Sequence, residues 1–498
     1  MSAVGAALRE HALREPGRIA LADRTRTIDY GQLLSRVAAL ACQLRAEGIG
    51  CLGLLADNGL PWVLADLAAH IEAIPLVPLP LFFSPQQMTH AIIDSGMDAL
   101  LTDRPVEMQQ LLGAAGITTR VHGQVETLAL LRLPRGSTSS LPDGTAKVTY
   151  TSGTTGMPKG VCLSRDHIEI VTQSLREATG ANADDRHLCL TPMSTLLENI
   201  GGVYVPLLAG ACSLVLPLVE VGLSGASGLQ VLRMIAALVE TQATSAILAP
   251  QMLAALVAAF ESGVPVPASL RFLAVGGAPV ATRLLERAQA IGLPVFEGYG
   301  LSECASVVTL NASNAQRRGS QGRPLPHLAV SISGDGEVMI SGPVFLGYLG
   351  HSPVNTPWAT GDLGYIDVEG FLHLRGRRKN QFITSFGRNV APDWVEGELT
   401  ANPAIAQAAV FGEARPFNVA VLTAAAGASA QAIAAAIAET NARLPDYARI
   451  AQWFTSTEPF GAANGQLTTN GRIRRAAIQA AYQLQIESFY QEETHDVF

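Results

Sequence analysis

Charged residues are scarce in this chain. Asp, Glu, Lys and Arg make up 15% of its 498 residues, against about a quarter in an average soluble protein. Basic residues are the rarer sign, 34 against 42 acidic ones, for a formal net charge of −8. That excludes the basic stripe a nucleic-acid binder uses. The six cysteines (Cys42, Cys51, Cys162, Cys189, Cys212 and Cys304) form no C-x-x-C pair and have no histidine at zinc spacing. They read as reduced, mostly buried thiols, with neither a disulfide framework nor a metal centre. The first residues carry no basic segment followed by an apolar one, so no signal peptide is expected, and the expected location is the cytoplasm. The one near-continuous apolar run, Val203 to Val219, is broken by Pro206, Gly210 and Pro217. It is also short for a membrane span and reads as helix, turn and buried strand. No Walker A loop is present, because Pro158 and Gly160 flank Lys159 where that motif needs Gly and Ser or Thr.

What fills the chain is alternation. Leu229 to Thr241 and Gln251 to Phe260 have helical spacing, and Thr282 to Ile291 reads as a helix closed by Gly292. Between them lie the short apolar runs Ala246 to Ala249, Leu270 to Val275 and Pro294 to Phe296. Such alternation predicts an α/β fold of parallel sheets joined by crossover helices, with ligands beyond the carboxyl ends of the strands. At 498 residues, more than one domain is expected. The basic run Arg375 to Lys379 separates apolar blocks, so the boundary is set there, with a large domain over 1–375 and a small α+β domain over 376–498. The small domain is expected to hold strands over Ile405 to Val410 and Val419 to Thr423, then an Ala-rich helix from about Ala430 to Leu444.

The densest chemistry lies in Thr149 to Val161, T-Y-T-S-G-T-T-G-M-P-K-G-V. Thr151, Ser152, Thr154 and Thr155 offer hydroxyls, Gly153, Gly156 and Gly160 let backbone amides approach an anion, and Lys159 adds a positive charge. That combination suits a polyphosphate.

Tyr150 to Gly160 resembles the signature of the AMP-forming adenylating enzymes, a superfamily that includes acyl-CoA synthetases, aryl-CoA ligases, peptide-synthetase adenylation domains and firefly luciferase. Other segments are similar to it in turn. The loop Gly276-Gly277-Ala278 resembles the one that lies along the adenine, and in Phe296 to Glu303 the resemblance implies that Tyr299 stacks on the base beside Gly300. It also implies that Ser302 contacts phosphate and that Glu303 holds Mg²⁺, for which a carboxylate is a suitable hard ligand. Trp358 to Gly364 resembles the T-G-D segment, whose aspartate, here Asp362, binds the ribose hydroxyls. Arg377 would touch the ribose and Lys379 would be the hinge of a mobile small domain. Asn380 follows it where aspartate is usual, so a hinge salt bridge is not expected. Gly387 falls in the loop that lines a pantetheine tunnel.

Three departures stand out. Asn470-Gly-Arg-Ile carries Arg472 where the family has a catalytic lysine, which keeps the charge and changes the geometry. Pro192 to Glu198 carries Thr195 where histidine is usual. The stretch between Glu303 and Thr360 is short, which implies a compacted subdomain with its site intact.

The resemblance implies an acid–thiol ligase. With ATP and Mg²⁺ it would convert a small carboxylic acid to its acyl-AMP, with Lys159, Glu303 and Arg472 as the catalytic set. The acid is expected to be fatty or otherwise apolar, because no aspartate is placed to hold an α-amino group. The thiol is expected to be coenzyme A, or else the phosphopantetheine of an acyl carrier protein. A member that binds nucleotide or acyl-adenylate without turnover stays open, as does the choice between monomer and homodimer.

Overall fold

A computed structural model describes residues 2–134, 141–151, 157–224, 228–468 and 471–492. Among these, two large sheets face each other. One has nine strands, and its inner run is parallel, in the order Val295–Tyr299, Phe272–Val275, Ser245–Leu248, Arg186–Leu188, Cys212–Leu214, Ile19–Ala22. The other has eight strands, with Thr145–Thr151 beside Leu76–Pro78, Leu52–Leu55 and Ala99–Thr102 in its parallel centre. Antiparallel strands close the edges of both.

The inner strands are short apolar runs because both faces are covered. Side chains alternate across the first sheet. Ala246, Leu248, Leu273 and Val275 enter one core with the helices Val231–Glu240, Pro250–Glu261 and Thr282–Ala290. On the opposite face, Cys189, Phe272 and Phe296 pack with Ile168, Val171 and Leu175 of the helix Arg165–Thr179. That helix starts where the Ser164 hydroxyl accepts from the His167 amide and stops at Gly180, which is left-handed at φ +61°.

The predicted alternation from Leu229 to Phe296 is present element by element. The apolar run 203–219 contains the helix Val205–Ala209, a turn at Gly210 and the strand Cys212–Leu214. No helix among the described residues is long and apolar enough to cross a membrane. Five cysteines are buried and Cys42 is exposed.

Two features differ from an all-parallel expectation. Both large sheets are mixed, and a separate four-stranded antiparallel sheet (Ala329–Ile332, Glu337–Ser341, Trp358–Ile366, Leu372–Arg377) fills the region that reads as merely compacted. Local periodicity does not reveal it, because its strands are half-buried and a segment that pairs with the eight-stranded sheet interrupts their order.

One buried polar knot ties the eight-stranded sheet to the helical segments Leu60–Glu72 and Asn199–Tyr204. Lys147, on the strand Thr145–Thr151, pairs with Asp66 at 2.7 Å and also reaches Asn199 and the Tyr204 hydroxyl. Asn199 donates in turn to Asp66 at 2.9 Å. A buried charge of this kind is tolerated only when its partners are complete.

From Phe382 onward the chain builds its own core. The sheet Ile405–Phe411, Asn418–Ala424, Ile450–Thr455 is backed by the helices Pro392–Thr400 and Ala430–Arg443. This small domain meets the large one through surface ion pairs, Arg283 with Glu439 at 2.7 Å and Arg443 with Glu286 at 3.3 Å. Arg287 adds a hydrogen bond to the Ala401 carbonyl at 3.0 Å. Exposed pairs of this type contribute about 0–1 kcal/mol each, so the contact is readily broken.

Candidate active site

The strands Thr145–Thr151 and Lys159–Ser164 form a hairpin in which Thr151 lies opposite Lys159. The predicted phosphate residues Ser152, Gly153, Thr154, Thr155 and Gly156 connect them and lie outside the described residues. The hairpin delivers Thr151 and Lys159 to a cavity of about 800 Å³. Lys159 Nζ stands 5.5 Å from the centre of the Tyr348 ring. The Tyr348 hydroxyl donates to Glu303 Oε1 at 2.6 Å. Sequence reading misses Tyr348. It arrives by sheet pairing, Tyr348 opposite Val161, from a part of the chain far from either neighbour. Its one local signal is the Gly347 that precedes it.

Across the cavity the strand Val295–Tyr299 ends in Tyr299, whose hydroxyl donates to Asp362 Oδ2 at 2.6 Å. Arg377 Nε holds the other carboxylate oxygen at 2.9 Å. Asp362 belongs to the long strand Trp358–Ile366, and its amide donates to the Thr360 hydroxyl at 3.0 Å. Desolvation raises its pKa, and Arg377 and Tyr299 oppose that shift. Burial, and then the Asp362 charge, push the Tyr299 hydroxyl far above its ordinary range. A carboxylate has about four acceptor sites, so two donors leave Asp362 able to accept further hydroxyls. Gly300 follows, and no other residue fits there, because a Cβ would lie 1.6 Å from the Ser306 carbonyl oxygen.

The strand Phe272–Val275 leads into Gly276 and Gly277, both on the cavity wall. Gly277 is left-handed, φ +82°, and its carbonyl accepts from Arg472 Nη2 at 3.0 Å. Arg472 belongs to the small domain and is accessible along much of its length, while its guanidinium end projects into the cleft. Desolvation there, then Arg377, lower its pKa, and Asp362, Asp393 and Glu303 act in the opposite sense. Ser302, Glu303, Arg377, Lys379 and Arg472 all line the same cavity.

Two predicted positions stand elsewhere. Ala278 is exposed and does not line the cavity, because the left-handed turn at Gly277 carries the next residue outward. Gly387 sits in the exposed turn between the strands Phe382–Ile383 and Asn389–Val390, on a part of the small domain that does not reach the cleft. Lys379 lies in the turn that follows the strand Leu372–Arg377. Its neighbour Asn380 donates to Asp393 at 2.8 Å, which stands in for the missing salt bridge.

The family AMP-binding enzyme matches residues 8–349, and AMP-binding enzyme C-terminal domain matches residues 379–494. The chain belongs to the AMP-binding enzymes. It is similar to 2-succinylbenzoate–CoA ligase of Bacillus subtilis, with 29% identity over 81% of this chain and 84% of the relative. It is also similar to indoleacetate–CoA ligase of Aromatoleum aromaticum, with 28% identity over 81% and 83%. Among solved structures, o-succinylbenzoate CoA synthetase of Bacillus subtilis with its acyl-adenylate intermediate superimposes with a TM-score of 0.76. It has 26% identity and covers 95% of this chain and 97% of that one.

The o-succinylbenzoate CoA synthetase of Bacillus subtilis is also solved in complex with ATP and magnesium ion, and the residues here fit that ion. Mg²⁺ is held by one or two carboxylates with water and phosphate oxygens. Glu303 is a single carboxylate on the cavity wall, oriented by Tyr348. The described residues contain one cluster of three candidate ligands, His187, Cys189 and Glu198; it is buried apart from Glu303, at the part of the cavity that His187 lines, with its own hydrogen bonds.

The second departure is also resolved in place. Thr195 lines the cavity and precedes the short helix Leu196–Glu198. Glu198 is fully buried, and Oε2 accepts from the Thr191 amide at 2.8 Å and hydroxyl at 2.7 Å.

Proposed function

We propose that this AMP-binding enzyme activates an apolar carboxylic acid with ATP and transfers the acyl group to the thiol of coenzyme A. The observation that carries this reading is the continuity of the cavity. The polar end, with Lys159, Glu303, Tyr299 and Arg472, opens without interruption into a slot walled by Gly201, Val205, Ile247, Phe272 and Ala274. A nucleotide and an apolar acid can therefore meet in one enclosed space.

The chemistry follows from charge. A carboxylate oxygen attacks the α-phosphate, the new O–P bond forms as the bond to the pyrophosphate leaving group breaks, and negative charge accumulates between them. Lys159 and Arg472 would sit where that charge develops, and fixed cations in a water-poor cleft stabilise it strongly. Glu303 would hold Mg²⁺, which supplies further neutralisation of the phosphates. Asp362, steadied by Tyr299 and Arg377, would accept the ribose hydroxyls and so place the α-phosphate. In the second step the thiol attacks the acyl carbon and AMP leaves. Gly387 faces away from the cleft while Arg472 faces into it, so the small domain would turn about Lys379 between the steps. The weak surface pairs that hold it support that motion.

The acid is read as aryl or otherwise compact, with the buried polar side chains His187 and Ser245 standing in the slot wall. The relatives named for 2-succinylbenzoate and indoleacetate favour the same class. A panel of aryl, medium-chain and long-chain acids with ATP and Mg²⁺, with and without coenzyme A, tests this by pyrophosphate release. Thiol-stimulated release with aryl acids is expected. Absence of release with every acid would reject the reading.

A further inference from the structure

The wall of the acid slot turns polar at His187 and Ser245, and the hydrogen bonds there have a direction. Three parallel strands place His187, Ser245 and Phe272 side by side in register on the face that lines the slot. His187 Nε2 lies 3.2 Å from Glu198 Oε1, and His187 Nδ1 lies 3.0 Å from the Ser245 hydroxyl. All three residues are buried. Glu198 Oε2 accepts from the Thr191 amide and hydroxyl, and the Oε1 of a carboxylate can only accept from His187. The shared proton therefore sits on Nε2. A neutral imidazole with its proton on Nε2 carries a lone pair on Nδ1. The Ser245 O–H then donates to Nδ1.

Every proton of the relay now has an acceptor, and what faces the slot is the lone pair of the Ser245 oxygen. Unfilled acceptors are tolerated in a protein interior better than unfilled donors. Such an acceptor in the wall of an apolar slot discriminates for a donor.

We propose that the acid carries a hydroxyl or amino group at the end remote from its carboxylate, and that Ser245, oriented by His187 and Glu198, accepts the hydrogen bond from it. Ser245 lies four residue steps from Gly276 through its register partner Phe272. At 3.3 Å per residue that is roughly 13 Å from the strand ends where the nucleotide site begins, which sets how far along the acid the donor group stands. This inference rests on the acid-activating reading above.

The test uses pairs of arylalkanoic acids of graded length whose distal substituent is hydroxyl or amino in one member and methyl in the other. kcat/KM is read from pyrophosphate release. The parent should favour the donor member about 10- to 100-fold at the matching length. Ser245→Ala should bring the two within about threefold, while its activity on the methyl member holds. Ser245→Thr, which keeps the oxygen, should restore the preference. Thermal melts confirm folding, and Ser245→Cys, a poor acceptor, replaces Ser245→Ala if the latter is unstable. Equal use of both members by the parent, or a preference that survives Ser245→Ala, overturns the proposal and leaves the acid-activating reading standing. No pyrophosphate with any acid removes that earlier reading instead.

Discussion

Replacing Arg472 with alanine deletes the one cation beyond Phe382 that lines the cleft among the described residues. Two effects follow. The hydrogen bond to the Gly277 carbonyl, 3.0 Å, disappears, and so does a positive charge that Asp362 and Glu303 both feel. The bond lies at an accessible position, so its loss should alter global stability by no more than about 0.5 kcal/mol. The charge matters more, because it faces the phosphates only in the reacting complex. Loss of one such preorganised group costs about 10²- to 10³-fold in rate, or about 3–4 kcal/mol of barrier. Arg472→Lys keeps the charge on a shorter stem that cannot make the same forked contact, and should lose roughly tenfold, within the same scale. The assay is acid-dependent exchange of pyrophosphate into ATP, run beside thioester formation from supplied acyl-AMP and coenzyme A. Exchange should collapse in Arg472→Ala while the second reaction keeps its rate. Parent-level exchange in Arg472→Ala, with melting unchanged, would refute the assignment.

Two further outcomes bear on the frame. Gly300→Ala forces a methyl against the Ser306 carbonyl, where backbone must give way, and should lower stability by more than about 2 kcal/mol in urea melts; an unchanged midpoint would contradict the described turn. Burial, and next the neighbouring His327, hold His167 down at a pKa of about 4. The folded state therefore prefers the neutral ring, its contribution is complete above the unfolded pKa of about 6.5, and it fades as pH falls towards 4. Between pH 7 and pH 5, His167 alone should cost on the order of 2 kcal/mol, and a flatter urea-melt profile in His167→Gln would identify it as the source.

How much of this is legible in sequence depends on how local each signal is. The hairpin ending at Lys159, the turn at Tyr299 and Gly300, and the carboxylate Asp362 are each announced by a few adjacent residues; the structure sets Lys159, Tyr299 and Gly300 on one cavity, with Asp362 buried behind its partners Tyr299 and Arg377. The strand and helix order from Leu229 to Phe296 is likewise written in periodicity. Contacts created by sheet pairing are not. Tyr348 reaches Glu303 because its strand docks on the phosphate hairpin, and His187 meets Ser245 because two crossovers set their strands side by side. Nothing near either residue records that. The four-stranded sheet that carries Asp362 is hidden for the same reason, and Ala278 is misplaced by one left-handed residue before it.

The knot around Lys147 links two sites that look independent. Lys147 stands on the strand that leads into the triphosphate hairpin and grips Asn199. The next residue back is Glu198, which orients His187 in the wall of the acid slot. Nucleotide and acid thus hang from a shared keel. Changes around position 198 would reach the strand that leads to Lys159 as well as the acid slot, and the freer route to altered selectivity runs through Ile247 and Ala274, which stand on strands outside the knot.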